Sequence, residues 1–178
     1  MLGLGNSLSS SSFIGGAAVL VYESDFSSGL DGWFSSSLGT VAVVAGDQDN
    51  VSDDNSVVRN DVLKLSRTTD TDIAAFWAAK NLYSIIGNAH STSDKYFATV
   101  EYLSPSSNSS SIGIDKVRFG TASDTSVTSD ETGSWLQVET ALTSFTLNSF
   151  LYIFADDPLA SDDDDVFYIS KVKVYKIS

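Results

Sequence analysis

The sequence predicts an all-β protein, a two-sheet antiparallel β-sandwich with an extended N-terminal arm, and three observations carry that prediction. Beyond residue 17 the chain is a succession of short β-branched or aromatic runs separated by clusters of Ser, Asp, Gly and Asn, with no long stripe of helical period. Several runs alternate apolar and polar residues: in YFATVEYLSP, Ala98, Val100 and Tyr102 share one face while Thr99 and Glu101 take the other. Nineteen of the 23 acidic residues are Asp, a poor helix former that favours turns.

Taken in order, residues 1–16 hold mostly Gly, Ser and Asn with isolated apolar residues, and cannot bury a periodic face of their own. This segment reads as an arm that orders against a neighbouring subunit through Leu2, Leu4, Leu8, Phe13 and Ile14, and residues 17–178 form the sandwich domain. Nine strands are expected, over 17–22, 40–44, 62–66, 73–78, 96–103, 112–119, 134–140, 150–155 and 166–177. The segment IAAFWAAKNL also fits a helical period, and strand is preferred. In DVFYISKVKVYKI the apolar positions change parity between Ile169 and Val172, which predicts a β-bulge near Ser170–Lys171. The stretches GDQDNVSDDNSVVRND, SPSSNSSS, GTASDTSVTSDETG and ADDPLASDDDD read as connecting loops.

The chain has 178 residues, 42% of them hydrophobic and 19% charged, enough for one packed domain. A net charge of −13 sets a field that repels nucleic acid and anionic membrane surfaces. The absence of cysteine removes disulfides and thiolate chemistry. The leader has no cationic segment followed by a continuous apolar one, and no run approaches the roughly 20 apolar residues of a membrane span. Neither a signal peptide nor a transmembrane segment is expected.

In ESDFSSGLDGW, Phe26 and Trp33 are expected to plug one end of the sandwich, with Gly29 and Gly32 permitting the reversal between them. This stretch, followed by DVLKLS, GSWLQVETALT and DDVFYISKVKVYKI in the same order, resembles carbohydrate-binding modules of the β-jelly-roll kind across roughly residues 19–177. The resemblance implies a jelly roll, Trp33 and Trp135 as core residues, and a calcium site pairing Asp165 with Glu23 or Asp25. The run SDDDDVF is read either as part of such a site or as a solvated loop.

A second resemblance is to virion proteins of tailed bacteriophages. It is carried by the leader MLGLGNSLSSSSFIGG ahead of LVYESDFSSGLDGW, LSPSSNSS and DVFYISKV. It implies a non-enzymatic virion structural protein, assembled in the host cytoplasm as a head decoration, head-fibre or tail-attached module. Its partners would be capsid or tail proteins and copies of itself.

Catalysis is not expected. His90 is the only histidine, in the polar loop GNAHSTSD, where solvated surface is the default, so a Ser-His-Asp triad has no support. No pair among Glu23, Glu101, Glu131 and Glu139 stands out for glycoside cleavage, and Glu101 and Glu139 fall on faces expected to be solvated. Sugar binding needs aromatic surface beside hydrogen-bonding groups. Trp77, Tyr83, Tyr102 and Arg118 are the candidates; Tyr102 has core parity, Trp77, opposite in parity to Phe76, is kept as a platform, and Arg118 is kept as a separate glycan-binding candidate. The leading expectation is therefore the virion component, and the alternative is a carbohydrate-binding module that adheres to host-surface glycan.

Overall fold

The computed structural model describes residues 16–35, 39–44, 51–67, 76–87, 90–108, 113–120, 125–129, 132–145, 149–156 and 166–177. Within them run β1 (Ala18–Ser24), β2 (Phe34–Ser35), β3 (Gly39–Val44), β4 (Val51–Ser52), β5 (Val58–Arg59), β6 (Val62–Arg67) and β7 (Phe76–Asn81). A short helix, α1 (Leu82–Ile86), is followed by β8 (Lys95–Leu103), β9 (Gly113–Phe119), β10 (Thr125–Ser129), β11 (Trp135–Glu139), β12 (Phe150–Asp156) and β13 (Val166–Ile177).

The strands form two antiparallel layers, the sandwich that the alternation predicts. One sheet has six strands in the order β11-β8-β13-β6-β3, with β1 also on β13; the other has five, β10-β9-β12-β7-β2; β4 and β5 make a separate hairpin. The layers meet through one buried cluster. Leu63, Leu65, Val100, Tyr102, Ile169 and Val172 come from the first sheet, and Ala78, Val117, Phe119, Leu151 and Ile153 from the second. Each fully buried large side chain of this set contributes roughly 1.5–3 kcal/mol by leaving water.

Strand β13 organises the larger sheet. It pairs with β8 along nearly its whole length, while its other edge holds β6 opposite Val166–Ile169 and β1 opposite Val172–Ile177. The register against β8 slips between Ile169 and Lys171, at the expected bulge. The extra residue explains why Phe167 and Ile169 on one side of it, and Val172 and Val174 on the other, all reach the core.

The corner between β1 and β2 closes one end as expected. Phe26 and Trp33 are both buried, with ring centroids 6.4 Å apart. The backbone reverses through left-handed conformations at Phe26 (φ 60°), Gly29 (φ 90°), Asp31 (φ 48°) and Gly32 (φ 76°). The two glycines carry this without a side-chain penalty, whereas Phe26 holds it against its intrinsic preference because its ring is buried.

Four local features differ from the sequence reading. The segment IAAFWAAKNL is strand over Phe76–Asn81, and the following Leu82–Ile86 is helical, begun by Asn81, whose side chain accepts from the Tyr83 amide. Part of GTASDTSVTSDETG is strand β10, pairing with β9, because Thr, Ser and Val at an edge satisfy the ladder as well as a turn. The hairpin β4–β5 rises inside GDQDNVSDDNSVVRND, and β2 is a two-residue addition to β7. The arm residues Leu2, Leu4, Leu8, Phe13 and Ile14 lie outside the described residues. No helix among the described residues is long and apolar enough to cross a membrane.

Candidate functional site

The strand sequence FLYIFA on β12 alternates aliphatic and aromatic residues. Leu151, Ile153 and Ala155 point into the core and are fully buried, which turns Phe150, Tyr152 and Phe154 to the outer face of the five-stranded sheet. On one side β7 aligns Ala79 with Tyr152 and Trp77 with Phe154. On the other, β9 aligns Arg118 with Tyr152. Phe34 of β2 stands opposite Ala79 and completes the row. Ala79, fully buried beneath these rings, is small enough to let them close over it.

The result is a continuous aromatic surface. Trp77 meets Tyr152 edge-on at 5.2 Å and Phe34 at 5.8 Å; Phe34 meets Phe150 at 5.5 Å. Tyr152 continues to Phe150 at 5.8 Å and to Phe154 at 5.6 Å. The Arg118 guanidinium lies 5.2 Å from the Tyr152 centroid and 5.0 Å from that of Phe154, within cation–π range of both rings. Trp77, Phe150, Tyr152, Phe154 and Arg118 are half-buried, and Phe34 is 40% exposed. Half-exposed rings beside a planar cation and a phenol offer stacking surface and directional hydrogen bonds together, the combination that a sugar ring engages.

Beneath this face a buried polar lock ties the corner to β7. Lys80, 4% exposed, turns inward, donates to the Asp31 carbonyl and sits 3.2 Å from the Asp31 carboxylate. Its ammonium is also 5.1 Å from the centre of the Tyr22 ring. The Tyr22 hydroxyl donates to Asp31 at 2.7 Å and accepts from Trp33 Nε1 at 3.1 Å. Burial, followed by the Asp31 acceptor, pushes the Tyr22 phenol well above its usual range. Burial alone would raise the Asp31 carboxyl, but the Tyr22 and Lys80 donors outweigh it and hold that group below the usual carboxylate range.

The outer face of the six-stranded sheet has different chemistry. Arg59 of the hairpin reaches Glu101 with both Nη2 (2.9 Å) and Nε (3.2 Å), and Ser170 at the bulge donates to the same carboxylate. Burial opposes ionisation of Glu101, yet these donors hold its pKa below the usual value. Asp53 anchors the hairpin by accepting from the amides of Asn55, Val57 and Trp135.

The two sequence-predicted glycan residues, Trp77 and Arg118, stand on one face of one sheet and meet through Tyr152. Phe34, Phe150, Tyr152 and Phe154 were missed, although the alternation in FLYIFA was an available signal for the last three. Tyr102 is core as expected, and Tyr83 is exposed on α1, just past the end of β7 where Asn81 pairs with Phe150. Trp135 is not core: it is half-buried on β11, donating from Nε1 to the Val57 carbonyl at 2.9 Å beneath the Arg59 guanidinium. Glu101 is not solvated but ion-paired, and His90 is not free surface. The imidazole stacks on Phe145 at 4.9 Å and hydrogen-bonds through Nε2 to the Phe145 carbonyl and through Nδ1 to the Tyr96 hydroxyl.

Of the calcium candidates, Glu23 faces Lys173 at 3.5 Å and Lys171 at 3.7 Å. Asp25 accepts from the hydroxyl and amide of Ser27, which lower its pKa, and Asp165 lies outside the described residues. Among the described residues no three His, Asp or Glu side chains gather as metal ligands.

No protein-family model matches the chain, and no curated protein matches it. Solved structures do. The CBM22-1 xylan-binding domain of Paenibacillus barcinonensis Xyn10C is 13% identical, with a TM-score of 0.57, over 92% of this chain and 97% of that one. The C-terminal family 22 carbohydrate-binding module of Clostridium thermocellum Xyn10B is 13% identical, with a TM-score of 0.56, over 87% and 91%. An arabinose-bound MgGH51 α-L-arabinofuranosidase is 18% identical, with a TM-score of 0.55, over 83% of this chain but 23% of its own. At these identities the likeness establishes the fold: a β-jelly roll of the carbohydrate-binding-module type.

Proposed function

We propose that the protein is a non-catalytic carbohydrate-binding module that takes a glycan across the outer face of the five-stranded sheet. One observation carries this reading: the half-exposed array of Phe34, Trp77, Phe150, Tyr152 and Phe154 with Arg118 lying over two of its rings. Trp77 and Tyr152 stack against the apolar faces of successive sugar rings, and Arg118 donates to their hydroxyls or ring oxygens. The jelly-roll likeness to xylan-binding and other carbohydrate-binding modules supports the same reading. The virion role keeps only the resemblance of the leader. No neighbour named above is a virion protein, so head, fibre or tail placement and assembly with capsid proteins draw no support from the fold.

Affinity electrophoresis and calorimetry against a polysaccharide panel that includes xylan test the proposal. The intact chain is expected to bind at least one member. Trp77→Ala is expected to weaken that binding by tenfold or more, on the order of a 1.4 kcal/mol loss, while the fold remains intact. Binding unaffected by both Trp77→Ala and Tyr152→Ala, or no binding across the panel, would overturn it.

A further inference from the structure

The opposite side of the sandwich holds a concave feature. A cleft of about 480 Å³ opens on the outer face of the six-stranded sheet, between the β4–β5 hairpin and the turn that follows β8. Its floor is one cross-strand row: Leu103 pairs with Tyr168, and Tyr168 pairs with Lys64. Ser52 lines it from the hairpin, and Pro105 and Ser107 from the turn.

Lys64 is the residue that asks for a ligand. Among the described lysine side chains, Lys80, Lys171, Lys173 and Lys176 have carboxylate partners and Lys95 donates to Ser144. Lys64 alone has no acceptor among the described residues. Lys64 is half-buried at the cleft, and an incoming anion gives its ammonium the charge partner that the described residues do not supply. That such a cation has no acceptor among the described residues of a chain of net charge −13 makes the exception sharper. The surrounding groups narrow the ligand further. The half-buried Tyr168 offers a ring surface, and two serine hydroxyls offer polar walls.

We infer that this cleft is a second ligand site, independent of the aromatic face, for a uronate: a sugar ring whose carboxylate pairs with Lys64. The ring would lie over Tyr168 with its hydroxyls toward Ser52 and Ser107. The long-range field of the acidic chain opposes a polyanion, so the site suits a single uronate, free or at the end of an oligosaccharide, rather than a uniformly charged polymer.

The test is an amide NMR titration of the full chain with sodium glucuronate, with glucose as the neutral control and a uronate-terminated oligosaccharide as the second arm. Glucuronate is expected to move the amides of Lys64, Tyr168 and Ser107 and to saturate with a dissociation constant on the order of 1 mM, as a small polar ligand in an open cleft does. Glucose is expected to bind about tenfold more weakly or worse, the scale of one charge-assisted contact. Lys64→Gln should reduce glucuronate affinity about tenfold with an unchanged thermal melt, Lys64→Arg should retain most of it, and Trp77→Ala should leave it unchanged. A stronger response to the oligosaccharide than to free glucuronate identifies the chain-terminal source, and an equal response the free sugar. Equal binding of glucose and glucuronate, wild-type affinity in Lys64→Gln, shifts confined to Trp77 and Tyr152, or no saturable shift in the millimolar range would each overturn the inference. Because the aromatic face is read separately through Trp77→Ala, either site can fail without the other.

Discussion

The two outer faces of this sandwich are built on similar strands and end in opposite chemistry. On the six-stranded sheet, polar side chains answer one another: Arg59 with Glu101, Ser170 with Glu101, and Glu23 with Lys171 and Lys173. On the five-stranded sheet rings dominate the described outward residues, and Arg118 lies over two of them. Internal pairing fixes geometry but leaves little for a ligand to gain, whereas half-exposed rings still have a face to cover. The comparison teaches that the place to seek binding is where surface groups are incompletely satisfied. By that rule Lys64, without an acceptor among the described residues, is the exception on that side.

Three perturbations break or sharpen the contrast. The largest is Phe26→Ala, which empties the plug shared by both sheets. It is expected to cost about 3–5 kcal/mol in urea unfolding and to disable both faces together; a loss under about 1 kcal/mol would show that the corner is peripheral to the core. Next is Lys80→Met, which strips the partner from Asp31 beneath the aromatic face. A destabilisation of about 2 kcal/mol is expected, below the range for fully buried pairs because Asp31 is 41% exposed. Unchanged stability in that variant would mean that the lock is replaceable by packing.

The smallest is Glu101→Gln on the self-paired face, expected to cost about 1 kcal/mol at pH 7. The folded pKa of Glu101 is depressed, so its contribution is fully present above the usual glutamate value of about 4.3 and is lost as pH falls through the folded value. The gap between wild-type and variant melting temperatures should therefore close on acidification. A gap that persists at the acid end would assign the effect to shape rather than charge.

The layers and the bulge were readable because they depend on neighbours in sequence. Alternation at Ala98, Val100 and Tyr102, and the parity change after Ile169, each involve residues a few positions apart. The corner was readable because Phe26, Gly29, Gly32 and Trp33 all fall within one turn. What escaped depends on register between distant segments. Nothing local says that Arg59 will reach Glu101, 42 positions away, or that Trp135 will bond the Val57 carbonyl rather than enter the core. Trp77 and Arg118 were chosen one at a time, and only strand order places Tyr152 between them. Phe150, Tyr152 and Phe154 could have been read from FLYIFA, where aliphatic residues take the core parity and aromatics are left outside.

The position of β13 has a consequence for how the protein forms. The thirteenth strand in chain order is held by β8 on one edge and by β6 and β1 on the other, so the larger layer cannot assemble until residues 166–177 have left the ribosome. Its earliest strand waits for its latest, which makes closure a long-range event and folding slow. Removing residues 166–177 would leave β1, β6 and β8 without their common neighbour, whatever the rest of the chain had already done.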